Sequence, residues 1–249
     1  MDEGLLAERL AHVRENLAAA SAASGFPEAQ LVVVTKTHPV ADILPLKALG
    51  VTAVGENRVQ EIREKLPELT ENFAVHLIGR LQSNKVKYII DRVCLIQSLD
   101  RWTLAEEIDR QAGRHGLRMP VLVQVSPAGE PQKGGLPPEE TEAFIRRAAS
   151  LPGLEIRGLM AVMPDTRDQA LLRRLFTDMR RLYDRLREEA PGGVALTELS
   201  MGMSGDYALA AACGSTMVRV GSAIMGPRTL PRADTDTVQT GDNPSSLHY

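Results

Sequence analysis

The sequence predicts an α/β protein, a single closed (β/α)8 barrel with an extra helix at its N-terminal end. Three observations predict it. Eight short apolar runs, rich in Val, Ile and Leu, recur along the chain, and each is followed by helix-spaced apolar residues. That alternation argues for a parallel sheet whose strands are covered by helices. Eight such units within roughly 230 residues fit the size of a closed barrel, usually about 250 residues. An open doubly wound sheet needs a glycine-rich loop after its first strand. Here that position reads Lys36-Thr37-His38-Pro39, without a glycine.

Leu6, Leu10, Val13 and Leu17 recur at helical spacing, so residues 3–24 form an amphipathic helix ended by Gly25 and Pro27. Residues 31–36 are the first strand. Ala41 to Leu49 is a short helix closed by Gly50, and 51–54 a second strand. Val59, Ile62, Arg63 and Leu66 line one face of the helix that follows. Phe73 to Ile78 is the third strand, with Val86 to Ile90 in the next helix. Val93 to Gln97 is the fourth strand, and Trp102 to His115 its helix. Met119 to Val125 is the fifth strand, and Ser126 to Pro138, rich in Gly and Pro, a loop. Glu139 to Ala149 is helical, and 154–160 the sixth strand. A long apolar stripe from Leu171 to Leu186 marks the next helix. Ala195 to Ser200, the helix Tyr207 to Cys213, and Thr216 to Val220 complete the alternation. The barrel domain is thus placed at residues 1–228. From 229 to 249 the composition turns to Thr, Asp, Pro, Ser, Asn and Gly, which predicts a disordered tail.

Composition excludes several function classes. The net charge of −3 gives no general attraction to nucleic acid or to membrane, and the arginines of the 171–186 stripe are diluted by Asp178, Asp184 and Glu188. No apolar run is long enough to span a bilayer. Met1 to Leu17 lacks the apolar core of a signal peptide. Cys94 and Cys213 have no metal-ligand spacing and form no disulfide framework, so the expectation is a metal-free protein of the reducing cytoplasm.

Barrel sites lie at the C-terminal ends of the strands. The first strand leads into Lys36, one of only six lysines against 23 arginines. A lysine at the exit of a buried strand has its charged form disfavoured, and a neutral amine can form a Schiff base with an aldehyde. After strands seven and eight come Ser200-Met201-Gly202-Met203-Ser204-Gly205-Asp206 and Arg219 with Gly221-Ser222. Glycines and hydroxyls there let backbone N–H groups reach phosphate oxygens. An aldehyde that carries a phosphate fits both ends, and pyridoxal 5′-phosphate (PLP) is the candidate. Taken singly, the features also have plainer explanations. The glycines could be turn residues, Arg219 could pair with Glu198 or Glu56, His76 could be a satisfied core histidine, and Met160 packing.

Several longer motifs sharpen this reading. Thr35-Lys36-Thr37, Gly55-Glu-Asn-Arg-Val-Gln-Glu61, His76-Leu-Ile-Gly-Arg-Leu-Gln-Ser-Asn-Lys85, Leu199-Ser-Met-Gly-Met-Ser204 and Gly214 to Gly226 resemble the YggS/PROSC family of PLP-homeostasis proteins. The likeness runs through most of residues 5–228 and extends to the barrel domain of alanine racemase. It implies that Lys36 carries PLP as a Schiff base. It implies phosphate contacts from Ser200 or Ser204 and from Gly221 and Ser222. It further implies that Arg219 faces the pyridine nitrogen and that Asn57, His76 and Met160 line the pocket. Thr37-His38-Pro39 departs from the many relatives that carry a second lysine there.

The family resemblance implies binding and buffering or delivery of PLP, with apo PLP-dependent enzymes as acceptors and no strong turnover; the chain is expected to be a monomer. An arginine cannot act as an acid near neutral pH, so it keeps the ring nitrogen unprotonated and the ring a poor electron sink. Racemisation also needs a second base on the opposite face. Alanine racemase takes that base from a further C-terminal domain, for which the polar residues after the barrel are too few. The alternatives are a weak PLP-dependent amino-acid racemase and a cofactor-free Schiff-base aldolase.

Overall fold

A computed structural model describes residues 2–130, 133–189 and 194–227. The expected tail, 229–249, lies outside the described residues. Eight parallel strands close into a barrel in sequence order: β1 (Gln30–Val34), β2 (Ala53–Glu56), β3 (Ala74–Leu77), β4 (Leu95–Leu99), β5 (Met119–Val125), β6 (Leu154–Ala161), β7 (Glu198–Ser200) and β8 (Met217–Val220). β8 closes on β1, with Val32 beside Arg219. Ten α-helices are described: α1 (Glu3–Ser24), α2 (Val40–Ile43), α3 (Pro45–Ala48), α4 (Val59–Lys65), α5 (Glu68–Asn72), α6 (Trp102–Arg114), α7 (Thr141–Ala148), α8 (Gln169–Glu188), α9 (Tyr207–Ala212) and α10 (Ser222–Met225). No helix among the described residues is long and apolar enough to cross a membrane.

Strand alternation divides the apolar residues into two sets. Val33, Val54, Val75, Ile96, Val123, Leu159 and Val218 face outward and pack with the helices in one large core. Val32, Ala53, Leu95, Leu122, Met160 and Met217 face inward and form a second, smaller cluster in the barrel lumen. Asp2 caps α1 by accepting from the Leu5 N–H at 3.1 Å, and Gly25 ends it in the left-handed conformation. Leu6, Leu10, Val13 and Leu17 are the face it buries, and it packs on α9 and α10.

Several elements differ from expectation, three of them near the site. The segment after β3 is a 3-10 helix, Ser83–Tyr88, rather than an α-helix. β1 ends at Val34, so Lys36 sits in the turn beyond it. The buried face of α4 is Val59, Ile62 and Lys65, while Arg63 is exposed with its guanidinium over the Tyr88 ring.

Candidate functional site

A cavity of about 640 Å³ opens at the C-terminal end of the barrel. Lys36 and Asn57 line it from beyond β1 and β2, Ser204 from beyond β7, Gly221 and Ser222 from beyond β8, and Arg219 reaches it from β8. These six residues, expected together from sequence, do meet in one space.

Lys36 projects from a tight turn that the His38 N–H closes on the Thr35 carbonyl at 3.2 Å. Thr37 within that turn has φ 67°. Asn57 is fixed by contact with Gly79: a Cβ at Gly79 would stand 2.2 Å from the Asn57 carbonyl oxygen, so only glycine allows this approach.

Beyond β7, Gly202 has φ 96°, and a Cβ there would meet the Ala210 Cβ at 2.5 Å. The chain can therefore turn closely over α9. Ser204 Oγ accepts from the Gly221 N–H at 3.0 Å and the Ala223 N–H at 3.4 Å. Two backbone donors thus converge on one oxygen, the arrangement an anion's oxygen needs. Asp206 turns the same loop by accepting from the Met203 N–H at 2.6 Å. Burial pushes its carboxyl above the usual range.

Arg219 is 3% exposed. Its Nη1 donates to Ser200 Oγ at 2.6 Å and its Nη2 to the Ala161 carbonyl at 2.8 Å. Burial lowers its pKa to about 10, partly offset by Asp206, so it stays a cation at neutral pH. Neither Glu198 nor Glu56 bonds to it among the described residues. Ser200 Oγ donates in turn to Gln97 Oε1 at 2.7 Å, and Gln97 Nε2 bonds His76 Nδ1 at 2.9 Å. Burial drives the His76 pKa down to about 4, so its ring is neutral. With Gln97 donating, the ring proton sits on Nε2.

His76, Met160 and Ser200 therefore occupy the lumen rather than the cavity wall. Met160 belongs to the inward apolar cluster, and the Ser200 hydroxyl is engaged by Arg219 and Gln97. Sequence reasoning missed Gln97, whose signal was a polar residue inside an apolar strand. It also missed Lys133, which lines the cavity from the β5 loop while donating to the Met163 carbonyl at 2.9 Å and pairing with Glu130 at 2.7 Å. Nothing in the glycine-rich loop signalled that position.

Fold and site define a class: parallel (β/α)8 barrels with a lysine beyond β1 sharing one cavity with N–H donors beyond β8 that converge on a serine beyond β7. The family model described as "Alanine racemase, N-terminal domain" matches residues 9–229. The pyridoxal phosphate homeostasis protein of Aquifex aeolicus is 39% identical over 224 residues, 89% of this chain and 97% of the relative. That of Deinococcus radiodurans is 40% identical over 216 residues, 86% of this chain and 96% of the relative. The structure of PipY from Synechococcus elongatus with PLP bound superposes with TM-score 0.78 at 39% identity, covering 89% of this chain and 100% of PipY. Alanine racemase of Clostridium difficile 630, at 16% identity and TM-score 0.68, covers 88% of this chain and 55% of the racemase, and shares the fold. The chain belongs to the alanine racemase N-terminal-domain family and, within it, to the YggS/PROSC proteins.

Proposed function

We propose that this barrel binds pyridoxal 5′-phosphate and serves PLP homeostasis. The observation that carries the reading is the cavity itself, with Lys36 beyond β1, convergent N–H donors beyond the neighbouring β8, and the buried Arg219 cation lining the same space. The donor set fits the group. Ser204, Ser222 and the Gly221 N–H suit a phosphate, and Arg219, which has five N–H donors and two described bonds, suits a ring nitrogen. When bound, PLP supplies an aldehyde, which the Lys36 amine captures as a Schiff base, its nitrogen displacing the aldehyde oxygen as water.

The chain's own residues then divide the work. Lys36 provides the amine. Ser204, Gly221 and Ser222 hold the anion, and Asn57 closes the Lys36 side. Ser200 orients Arg219, with Gln97 and His76 behind it and Met160 filling the lumen below. Arg219 keeps the ring nitrogen unprotonated, which mutes carbanion chemistry, so binding outweighs turnover. One chain supplies every wall of the cavity, which supports action as a monomer. Apo PLP-dependent enzymes are the acceptors in this reading, and the free Cys94 and Cys213 accord with the cytoplasm.

The test is the visible spectrum of the purified protein, followed by borohydride reduction and peptide mass analysis. The expected outcome is a yellow protein with the reduced adduct on Lys36, and loss of both in Lys36→Ala. Adduct on Lys133 or Lys85 in that variant would overturn the assignment. Racemisation of L-alanine by the wild type at enzyme-like rates, on the order of 10 per second, would replace this reading with the racemase one.

A further inference from the structure

The turn that carries Lys36 is held in an unusual way. Thr37 lies in the left-handed region, which a β-branched residue rarely enters and which persists only where surrounding groups fix it. Those groups come from α4. Lys65 Nζ donates to the Thr35 carbonyl at 2.9 Å, and Glu61 Oε2 accepts from the Thr37 N–H at 2.6 Å. The Thr35 carbonyl belongs to the peptide group before Lys36, and the Thr37 N–H to the one after it. Each peptide group flanking Lys36 is thus gripped by a charged side chain of the same helix.

The grip is anchored from below. Lys65 and Glu61, one helical turn apart, meet at 3.4 Å. Glu56, fully buried, accepts from Lys65 at 2.7 Å and from the Thr35 hydroxyl at 2.6 Å through the same Oε1. Buried charge of this kind is a poor way to gain stability, since apolar side chains of similar volume pack as well without desolvating ions. Its arrangement here is specific to the two peptides around Lys36.

We infer that Glu61 and Lys65 are positioning residues for cofactor capture: they fix the backbone on both sides of Lys36 and so aim its amine into the cavity. This rests on the PLP reading above. A lysine stem has four flexible carbons, so a fixed root is what limits where its amine can go. Releasing Glu61 lets Thr37 leave the left-handed region, and the root of Lys36 moves with it.

The test uses the full chain and two probes. PLP reports capture, through the rate of borohydride-trapped adduct at Lys36. Pyridoxamine 5′-phosphate has no aldehyde and reports the phosphate and ring contacts alone. Glu61→Ala is expected to slow capture by roughly tenfold or more, the scale of a small misplacement of a reacting group, with pyridoxamine 5′-phosphate affinity unchanged. Glu61→Gln keeps an oxygen for the Thr37 N–H and should retain most of the rate. Thr37→Gly placed in the Glu61→Ala background should restore part of it, because glycine enters a positive φ without strain and the Thr37 side chain is exposed. Because Lys65→Met alone strands buried Glu56, the Lys65 arm uses Lys65→Met with Glu56→Gln, and it too should slow capture selectively. Wild-type capture rates in Glu61→Ala would overturn the inference, as would equal loss of both probes or no rescue by Thr37→Gly. If the wild type itself captures no PLP, the reading of the cavity fails instead.

Discussion

On the β1–β2 side of the cavity the chain is held by charged side chains, and on the β7–β8 side mainly by hydroxyls and close backbone turns. Lys65, Glu61 and Glu56 converge on the turn at Lys36 through charged bonds of 2.6–2.9 Å. On the β7–β8 side most supports are hydroxyls, with the Asp206 carboxyl taking the Met203 N–H. Ser215 Oγ lies within bonding distance of the Leu199, Met201 and Met217 carbonyls at 3.1, 2.9 and 2.7 Å, and Gly202 supplies the close turn. A wall that must aim one amine gains from directional, charged contacts. A wall that must receive an anion needs N–H donors, and here those of Gly221 and Ala223 converge on Ser204 Oγ while Ser215 braces carbonyls. A broken contact should therefore act differently on the two sides. On the first it moves a reacting atom; on the second it removes one donor among several.

Acid gives the largest expected effect, and it acts on neither wall but on the lumen between them. The His76 pKa falls from 6.5 to about 4 in the folded chain, so between those values the unfolded state binds more protons. Stability is complete above pH 6.5 and is lost as pH falls toward 4, by about 3 kcal/mol through linkage. Burial raises the Glu56 and Asp206 carboxyls, which has the opposite sign, since their contribution is lost as pH rises. Denaturant titrations of apo wild type and His76→Gln at pH 7 and 4.5 should show the acid loss much reduced in the variant. Equal losses would place the acid sensitivity elsewhere.

Arg219→Met comes next. It removes the buried cation that lines the cavity and should weaken PLP binding by roughly 10- to 100-fold, the value of hydrogen bonds from a charged donor. Equilibrium dialysis measures it, and an unchanged affinity would detach Arg219 from the ligand. Ser204→Ala is the mildest. Losing one neutral hydroxyl should cost about 1 kcal/mol, near fivefold in affinity, with the adduct still on Lys36. A loss as large as that of Arg219→Met would mean that the donors of the second wall act as a unit.

Much of the barrel was readable because a parallel strand buried on both faces must be apolar throughout. Met119–Val125 needed no adjustment. β2 was placed two residues early because Glu56 sits inside the strand, fully buried, where apolar patterning has no place for a carboxylate. Lys36, Asn57, Ser204, Arg219, Gly221 and Ser222 could be gathered from sequence because each follows or ends a strand. Depth was not readable. Alternation places His76 and Ser200 inside the barrel, but how far each lies below the rim depends on strand stagger. Lys65 was missed for a related reason: a lysine on a helix is ordinarily solvated, and only the register of α4 against β2 shows that it is 7% exposed.

The bonds in the lumen run in one direction. Arg219 donates to Ser200, Ser200 to Gln97, and Gln97 to His76. Turning any one group round would leave two neighbours facing like with like. The row is therefore a frozen dipole, with its oxygen ends toward the guanidinium and its far end on a neutral ring. Such an oriented row does for the arginine what a carboxylate would otherwise do, without cancelling its charge. The barrel can thereby keep a positive pole, only partly offset by Asp206, at the base of its cavity.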